Sequence, residues 1–339
     1  MRIVWGCPSD DPSLGPPLAR PSYWMNRPVP PAPARIEVMP RARFYPGNVQ
    51  TRGKTEHTGG QLLLTQDFQL TPASYNPMDG RLTLPTDVDI AAEPRVLAGD
   101  YFFLGSVHPH FGHVILEGLS RVWAFEAFER AHPGGRCLIY EPWTPDFALD
   151  LLARAGLPPD RLLRSDTPLL VERLHVPTAA SLTHQWISPL QAGTWRRIAE
   201  TFESEGPATR RVYLSRRGNP ARPLLDEDEV EARFAAGGFE IVQPETLSLA
   251  QQGRLARQSR VLAGCVGSQM YLSAFQRPGA HNLVLAPSNF YLPDDHLIAE
   301  LMGHSLSVAL GDASEYRVPQ GPWSINPNAV GALIASLND

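Results

Sequence analysis

The chain has 339 residues, 43% of them hydrophobic, and a formal net charge of −5, enough sequence for two domains that each bury a core. So mild an acidic balance gives no general attraction to nucleic acid or to an anionic membrane, and no run approaches 18 apolar residues. Three scattered cysteines, Cys7, Cys137 and Cys265, have no CxxC spacing; this argues against a zinc knuckle or a disulfide framework and fits a reducing cytosol.

Taken in order, the N-terminus meets prolines and acids before any signal-like apolar stretch can form, and residues 8–46 are proline-rich, which predicts an extended arm. "GGQLLLTQDFQL" reads as short strands. "YFFLG" (101–105) predicts a buried strand that feeds a helix over about 112–131. "RCLIYEP" is a strand, "PDFALDLLARAGL" a helix closed at Gly156, and "LLVERLHVPT" a strand. The polar helix "SPLQAGTWRRIAETFESEG" leads to a boundary near residue 205.

Beyond it the pattern is regular. "RRVYLSRR", "FEIVQP", "RVLAG" and "HNLVLAP" read as strands. Between them lie the helices "LLDEDEVEARFAAGG", "LSLAQQGRLARQS" and "SQMYLSAF". Capping boxes are expected at Asp226/Glu229 and Ser248/Gln251, and a glycine stop at Gly237-Gly238. "NPNAVGALIASLND" is a last helix. Such alternation predicts a parallel, doubly wound sheet whose strand-end loops gather along one edge, where these folds bind ligands.

Two of those loops carry candidate chemistry. "YLSRRGNPAR" offers Ser215, Arg216, Arg217 and Arg222; arginine, which supplies nearly all the basic residues here beside the single Lys54, clamps phosphate bidentately. "AGCVGSQM" places Gly264, Gly267 and Ser268 between a strand and a helix start, where backbone N–H groups and the helix dipole favour an anion. Asp87 and Asp89 in "PTDVDI" imitate a DxD metal motif but precede the regular pattern, and read as a turn.

The stretch "SVHPHFGHVILEGLSRVW" sets His108, His110 and His113 before a helix. It leaves three readings open: a metal site, an acid/base pair, or a polar entrance to a buried helix. Projected at 100° per residue, His113, Glu117, Ser120 and Arg121 share one narrow sector of an otherwise apolar run. A buried imidazole and carboxylate four residues apart can hydrogen-bond, and burial suits both to acid/base work. H-x-H-x-x-H offers three nitrogen donors, but no fourth ligand accompanies them, so no metal is expected.

"FGHVILEGLSRVWAF", followed later by "RRVYLSRR" and "LLDEDEVEARFAAGGFEIVQPETLSLAQQGRLARQSRVLAGCVGSQMYLSAF", resembles glycosyltransferase family 61, over roughly residues 95–290. The resemblance implies an α/β fold of GT-B type: two Rossmann-like doubly wound domains facing across a cleft, with a β-rich N-terminal segment. The boundaries expected are 1–95 for the arm and β-rich segment, 96–205 for the acceptor-side domain, 206–320 for the nucleotide-sugar domain and 321–339 for a C-terminal helix. It also implies an inverting, metal-independent transfer from a nucleotide-diphosphate sugar, UDP-linked, to a glycan or lipid-linked glycan. The setting implied is surface or capsular polysaccharide synthesis in the bacterial cytoplasm, peripheral to the inner membrane. No cofactor is implied beyond the donor.

The family's SR…R block falls on Ser215, Arg216 and Arg222, and its PE-x-LS block on Pro244, Glu245, Leu247 and Ser248. Its G-P-H-G-A-G loop becomes Gly264-Cys265-Val266-Gly267-Ser268-Gln269, with valine in the histidine position. On this basis Glu117 or His113 is the base, and the other orients it. Arg216, Arg217, Arg222, Gly264, Gly267, Ser268 and Gln269 hold the diphosphate, with Ser215 beside them. Glu245 either binds ribose or sugar hydroxyls or is a simple helix-start carboxylate. His108, His110 and Arg121 line the acceptor cleft. The competing classes are a non-catalytic nucleotide- or glycan-binding homologue, suggested by the altered glycine loop, and a metal-dependent hydrolase built on the histidines.

Overall fold

The structure is a computed structural model and describes residues 5–6, 33–50, 57–74, 76–78, 81–85, 88–107, 109–140, 144–315, 318 and 320–337. The chain divides into two compact units, one of residues 26–198 and one of residues 199–339 with the N-terminal 25. A two-residue strand, β1 (Trp5–Gly6), belongs to the latter. Among the described residues no helix is long and apolar enough to cross a membrane.

The 26–198 unit is built on β2 (Ile36–Gln50), β3 (His57–Leu64), the small hairpin β4 (Asn76–Met78) and β5 (Arg81–Thr83), β6 (Arg95–Ser106), β7 (Arg136–Tyr140), β8 (Leu162–Arg164) and β9 (Leu169–Pro177). A second hairpin, β10 (Ser181–Leu182) with β11 (Trp186–Ile187), follows. The end of the proline-rich stretch, expected as an arm, is the long strand β2: Met39, Ala42 and Phe44 turn into the core, and Arg41, at φ +48, interrupts the ladder against β9 without shifting its register. Residues 7–32 lie outside the described residues.

The large sheet runs β3-β2-β9-β6-β7-β8, antiparallel at its β3-β2-β9 side and parallel through β9-β6-β7-β8. It is therefore mixed: the antiparallel strands β2 and β3 come from the segment expected to be β-rich, and the parallel strands from the part expected to be Rossmann-like. Leu63 on one edge strand and Leu163 on the other share one core with Phe44, Phe103, Leu138 and Val171, so the sheet curls and packs its inner face on itself. Its outer face takes helical residues instead: Phe102 meets Phe125 and Phe128 with ring centroids 5.4 and 5.5 Å apart. Strand order reverses at β6, between β9 and β7.

Helices of this unit are α1 (Phe111–His113), α2 (Phe125–Ala131), α3 (Asp146–Arg154) and α4 (Pro189–Glu200), the last running across the unit boundary. The single helix expected over 112–131 is thus in pieces: α1, a π-helical turn over Val114–Gly118, a 3₁₀ turn over Val122–Ala124, then α2.

The second unit carries the expected alternation: β12 (Arg210–Leu214), α5 (Glu227–Ala236), β13 (Glu240–Val242), α6 (Leu249–Gln258), β14 (Ser259–Cys265), a 3₁₀ helix over Ser268–Phe275, β15 (His281–Pro287), α7 (Asp294–Met302), β16 (Ser305–Ala313), β17 (Trp323–Ser324) and α8 (Pro327–Ala335). The order β13-β12-β14-β15-β16-β1 is parallel throughout, and only β17 is antiparallel. Alternate residues Tyr213, Ala263, Cys265, Leu283 and Leu285 face α5 and α8 through Val230, Phe234, Val330 and Ile334. Counted from β12, the order is 2-1-3-4-5, so the switch point lies between β12 and β14, where ligands of open α/β sheets bind.

The Ser248/Gln251 capping box forms in full, and Gly238, at φ +77, follows the α5 stop. Asp226 makes no cap bond; the acids behind it are drawn into the adjoining loop. Cys137 and Cys265 are free and buried, and Cys265 is no nucleophile, since burial pushes its thiol up to about 12.

His304 offers a test of the packing at the start of β16. Burial holds its imidazole down to about 4, with Asn282 within hydrogen-bond distance of Nδ1 at 3.2 Å. The folded state binds it neutral, so its contribution to stability is complete above about pH 6.5 and is lost as pH falls toward 4, on the order of 2–3 kcal/mol. Urea unfolding at pH 7 and pH 4.5 should therefore show a clearly smaller loss in His304→Gln than in the wild type.

Candidate active site

At the switch point of the second unit, the loops after β12 and β14 meet. Gly267 sits at φ +144, a backbone region open to glycine. A Cβ there would lie 2.7 Å from Arg216 Nη1 and 3.2 Å from Arg222 Nη2, so both guanidinium groups are held against the same glycine. Their partners are neutral: Arg216 Nη2 donates to the Ala221 carbonyl at 2.7 Å, and Arg222 Nη1 to the Gln320 side-chain carbonyl at 2.5 Å. Arg222 also lies over the Phe290 ring at 4.1 Å. Burial, then repulsion from Arg216, brings Arg222 down to about 10, and buried Nε–H groups of both arginines lack a hydrogen-bond partner.

Local backbone fixes this pair. Arg222 has φ +53, a strained value for a side chain of its size. Its N–H donates to the Gln320 backbone carbonyl at 3.0 Å, and its own carbonyl accepts from Trp323 Nε1 at 3.1 Å. The Glu227 carboxylate accepts the Arg216 backbone N–H at 2.7 Å; burial raises that acid above its ordinary range.

The neighbours of the pair divide by role. Arg217 pairs with Glu231 and Asp228, each at 2.5 Å, so its charge is already balanced. The Ser215 hydroxyl donates to Glu231 of α5 at 2.6 Å, and the residue lines the cavity over the ends of β12 and β13. Gln269 spends its amide on the carbonyls of Leu214 (3.1 Å) and Cys265 (3.3 Å), tying the ends of β12 and β14 together. Gly264 lets that crosslink pass, since its Cβ would meet Leu214 O at 3.0 Å. Ser268 is exposed at the start of the 3₁₀ helix, and Glu245 is exposed after β13. Beside them a cavity of about 400 Å³ opens over the ends of β12 and β13, with Arg217, Gln243 and Thr246 in its lining.

In the 26–198 unit the candidate acid/base pair forms. His113 Nδ1 and Glu117 Oε2 are 2.5 Å apart, and Thr183 Oγ1 donates to Glu117 Oε1. The imidazole is the more open partner, 23% exposed against 8% for the carboxylate. Glu117 lies within the π turn, where Leu119 N–H reaches back five residues to the Val114 carbonyl and Ser120 N–H bonds to Glu117 O. That leaves the carbonyls of Ile115 and Leu116 without helix partners, and both are buried. Gln191 Nε2 (2.9 Å) and Trp195 Nε1 (3.0 Å) donate to Ile115 O, and Ser181 Oγ donates to Leu116 O. The π turn is thus sustained from α4 and from the β10–β11 hairpin.

Arg121 does not line an open cleft. It is buried, donates to the Pro177 carbonyl at 3.2 Å and the Leu104 carbonyl at 3.3 Å, and ties the ends of β9 and β6; burial brings it to about 10. Gly105 makes room for it, at φ +95 with a Cβ position 2.9 Å from Nη1. His110 is exposed, its ring centroid 6.2 Å from that of His113. His108 and Asp87 lie outside the described residues. Asp89 accepts the Ala91 N–H at 3.0 Å, the turn read from sequence.

Sequence reasoning missed Thr183, Ser181, Gln191 and Trp195, and on the other unit Gln320 and Phe290. Each acts on a residue 65 to 98 positions away, so no local pattern marks them. The nearest signal was Trp195, a large ring on a helix otherwise read as polar.

A family model described as Glycosyltransferase 61 matches residues 111–283, from the helix that carries His113 and Glu117 to β15 beyond the Gly267 loop. No curated protein matches the chain.

The π turn can be tested by stability. Trp195→Phe removes one donor to Ile115 O and leaves a void where the fully buried indole was, and should cost about 2–3 kcal/mol in urea unfolding. Combined with Gln191→Leu it strips that buried carbonyl bare, and should cost more than the two single changes added together.

Proposed function

Because the chain belongs to glycosyltransferase family 61 and is a glycosyltransferase, we propose that it transfers a sugar, with inversion, from a nucleoside-diphosphate sugar of the uridine class to a glycan hydroxyl. The observation that carries this reading is the pair Arg216 and Arg222, held against Gly267 with neutral partners. Two close guanidinium groups lower their mutual repulsion by binding an anion between them, and a diphosphate presents oxygens in the spacing their forks accept. The Gly267-Ser268 amides add donors at the same place. The cavity beside Arg217 and Thr246 is the seat assigned to the nucleoside.

The base in this reading is His113. Glu117, held by the Thr183 hydroxyl, keeps one imidazole nitrogen engaged and orients the ring, and stabilises the imidazolium that forms. The acceptor hydroxyl gives its proton to the other ring nitrogen as its oxygen bonds the anomeric carbon. The bond from that carbon to the diphosphate breaks, and the nucleoside diphosphate leaves with the electron pair, its charge met by the arginines. The second unit takes the donor and the 26–198 unit the acceptor, the division of labour of a GT-B enzyme. A place in surface or capsular polysaccharide synthesis, in the cytoplasm with peripheral membrane attachment, belongs to the same proposal.

The test is turnover with saturating nucleotide sugar. His113→Ala and Glu117→Gln should each lower kcat by roughly 10²–10⁴ while leaving donor binding intact. Near-wild-type turnover in both would remove the pair from the chemistry.

A further inference from the structure

A second cluster of ionisable groups lies elsewhere in the 26–198 unit. Asp100 on β6, His132 just past α2 and His175 on β9 bring one ligand atom each to within 4.8 Å of one another. Asp100 Oδ1 is 2.9 Å from His175 Nε2, and Oδ2 is 3.5 Å from His132 Nδ1. We propose that Asp100, His132 and His175 form a binding site for a divalent transition-metal ion of the zinc class, which clips the end of α2 to the sheet.

The distances suit such an ion. Bonds of 2.0–2.1 Å in a tetrahedron put neighbouring ligand atoms about 3.3 Å apart, and one ligand atom of each residue already lies within 4.8 Å of the other two, a gap that small side-chain rotations close. Two imidazoles and one carboxylate are also the donor set this class of ion takes, with water in the fourth position. The rings are preset: His132 and His175 both pack on Phe128, with centroids 5.0 and 5.1 Å away. All three ligands are partly open, between 13% and 29% exposed, which leaves a path for the ion and its water.

Arg173 already binds Asp100, through Nε at 2.8 Å and Nη2 at 2.7 Å. Each carboxylate oxygen has two lone pairs, so the guanidinium can occupy one on each while the other faces an imidazole. Ligating carboxylates commonly carry such an outer partner. Arg173 also holds Glu172 at 2.6 Å, so its own charge stays balanced when the ion arrives. The ion replaces the protons the imidazoles share with Asp100 and needs both rings neutral. Asp100 stands six residues before the end of β6, roughly 20 Å along the strand, and His132 is at the opposite end of the helical run from His113. The site therefore serves architecture, and stands independently of the transfer mechanism.

The experiment uses the full, untagged chain stripped with chelator, titrated with Zn²⁺ and, for its visible absorption, with Co²⁺. One equivalent should bind, give the intense bands of tetrahedral Co²⁺, and raise Tm by ~5 °C at a hundredfold excess over Kd. His175→Gln keeps a hydrogen-bond donor for Asp100 but removes the imidazole, and should weaken binding roughly a hundredfold. The double variant His132→Ala/His175→Ala should bind no metal at this site. Equal binding and equal Tm shifts in wild type and both variants would overturn the proposal, as would no Tm shift in the wild type; the cluster would then be an ion-pair staple alone.

Discussion

Two positive charges pressed against one glycine are the constraint around which the loops after β12 and β14 are arranged. In water, guanidinium groups so close repel weakly, but here both are largely buried, and the field of each is less screened. Their hydrogen-bond partners, Ala221 O and the Gln320 amide, are neutral, whereas the adjacent Arg217 is fully matched by Glu231 and Asp228. The fold thus separates one arginine that holds the loop from two that are left in excess. It keeps them there by a strained backbone at Arg222, by the aromatic face of Phe290, by the Trp323 indole N–H on the Arg222 carbonyl, and by a sheet order that opens between β12 and β14. This arrangement is a standing cost in the unliganded protein, and the donor binding proposed above is what offsets it.

A comparable economy governs the other unit. An unbroken α-helix would satisfy the Ile115 and Leu116 carbonyls internally. The π turn releases them and holds Glu117 between His113 and Thr183, at the price of three donors imported from Ser181, Gln191 and Trp195. Arg121 closes the same region from below by bridging the ends of β6 and β9. Position of the dyad is therefore a tertiary property: the residues that bond are local, and the residues that make the bond possible are not.

That distinction explains what the sequence discloses. The second unit was legible because strand alternation, the Ser248/Gln251 box and the glycine stops are all local, and each reports a backbone need directly. The convergence of Arg216 and Arg222 on the Gly267 loop followed from topology, once a parallel sheet was inferred. Local logic failed where long-range partners compete. Asp226 and Glu229 have the spacing of a cap, yet Asp226 makes no cap bond, and the loop before the helix engages Glu227 and Glu231 instead, through the Arg216 N–H and the Ser215 hydroxyl. Arg121 shares a helix sector with His113 but is drawn inward by two strand-end carbonyls. The curl of the first sheet, and β2 in place of a proline-rich arm, depend on a core shared by residues as far apart in sequence as Leu63 and Leu163, which no periodicity encodes.

In the proposed function, the second phosphate of the nucleotide is what the arginine pair recognises. The direct measurement is calorimetric affinity for UDP against UMP, in the wild type and in Arg216→Gln/Arg222→Gln, at fixed ionic strength. The account predicts that the wild type prefers UDP by roughly tenfold or more, as one to two charge-assisted contacts require, and that the preference vanishes in the variant while UMP binding persists. Equal affinity of the wild type for UDP and UMP, or a preference that survives loss of both arginines, would contradict it.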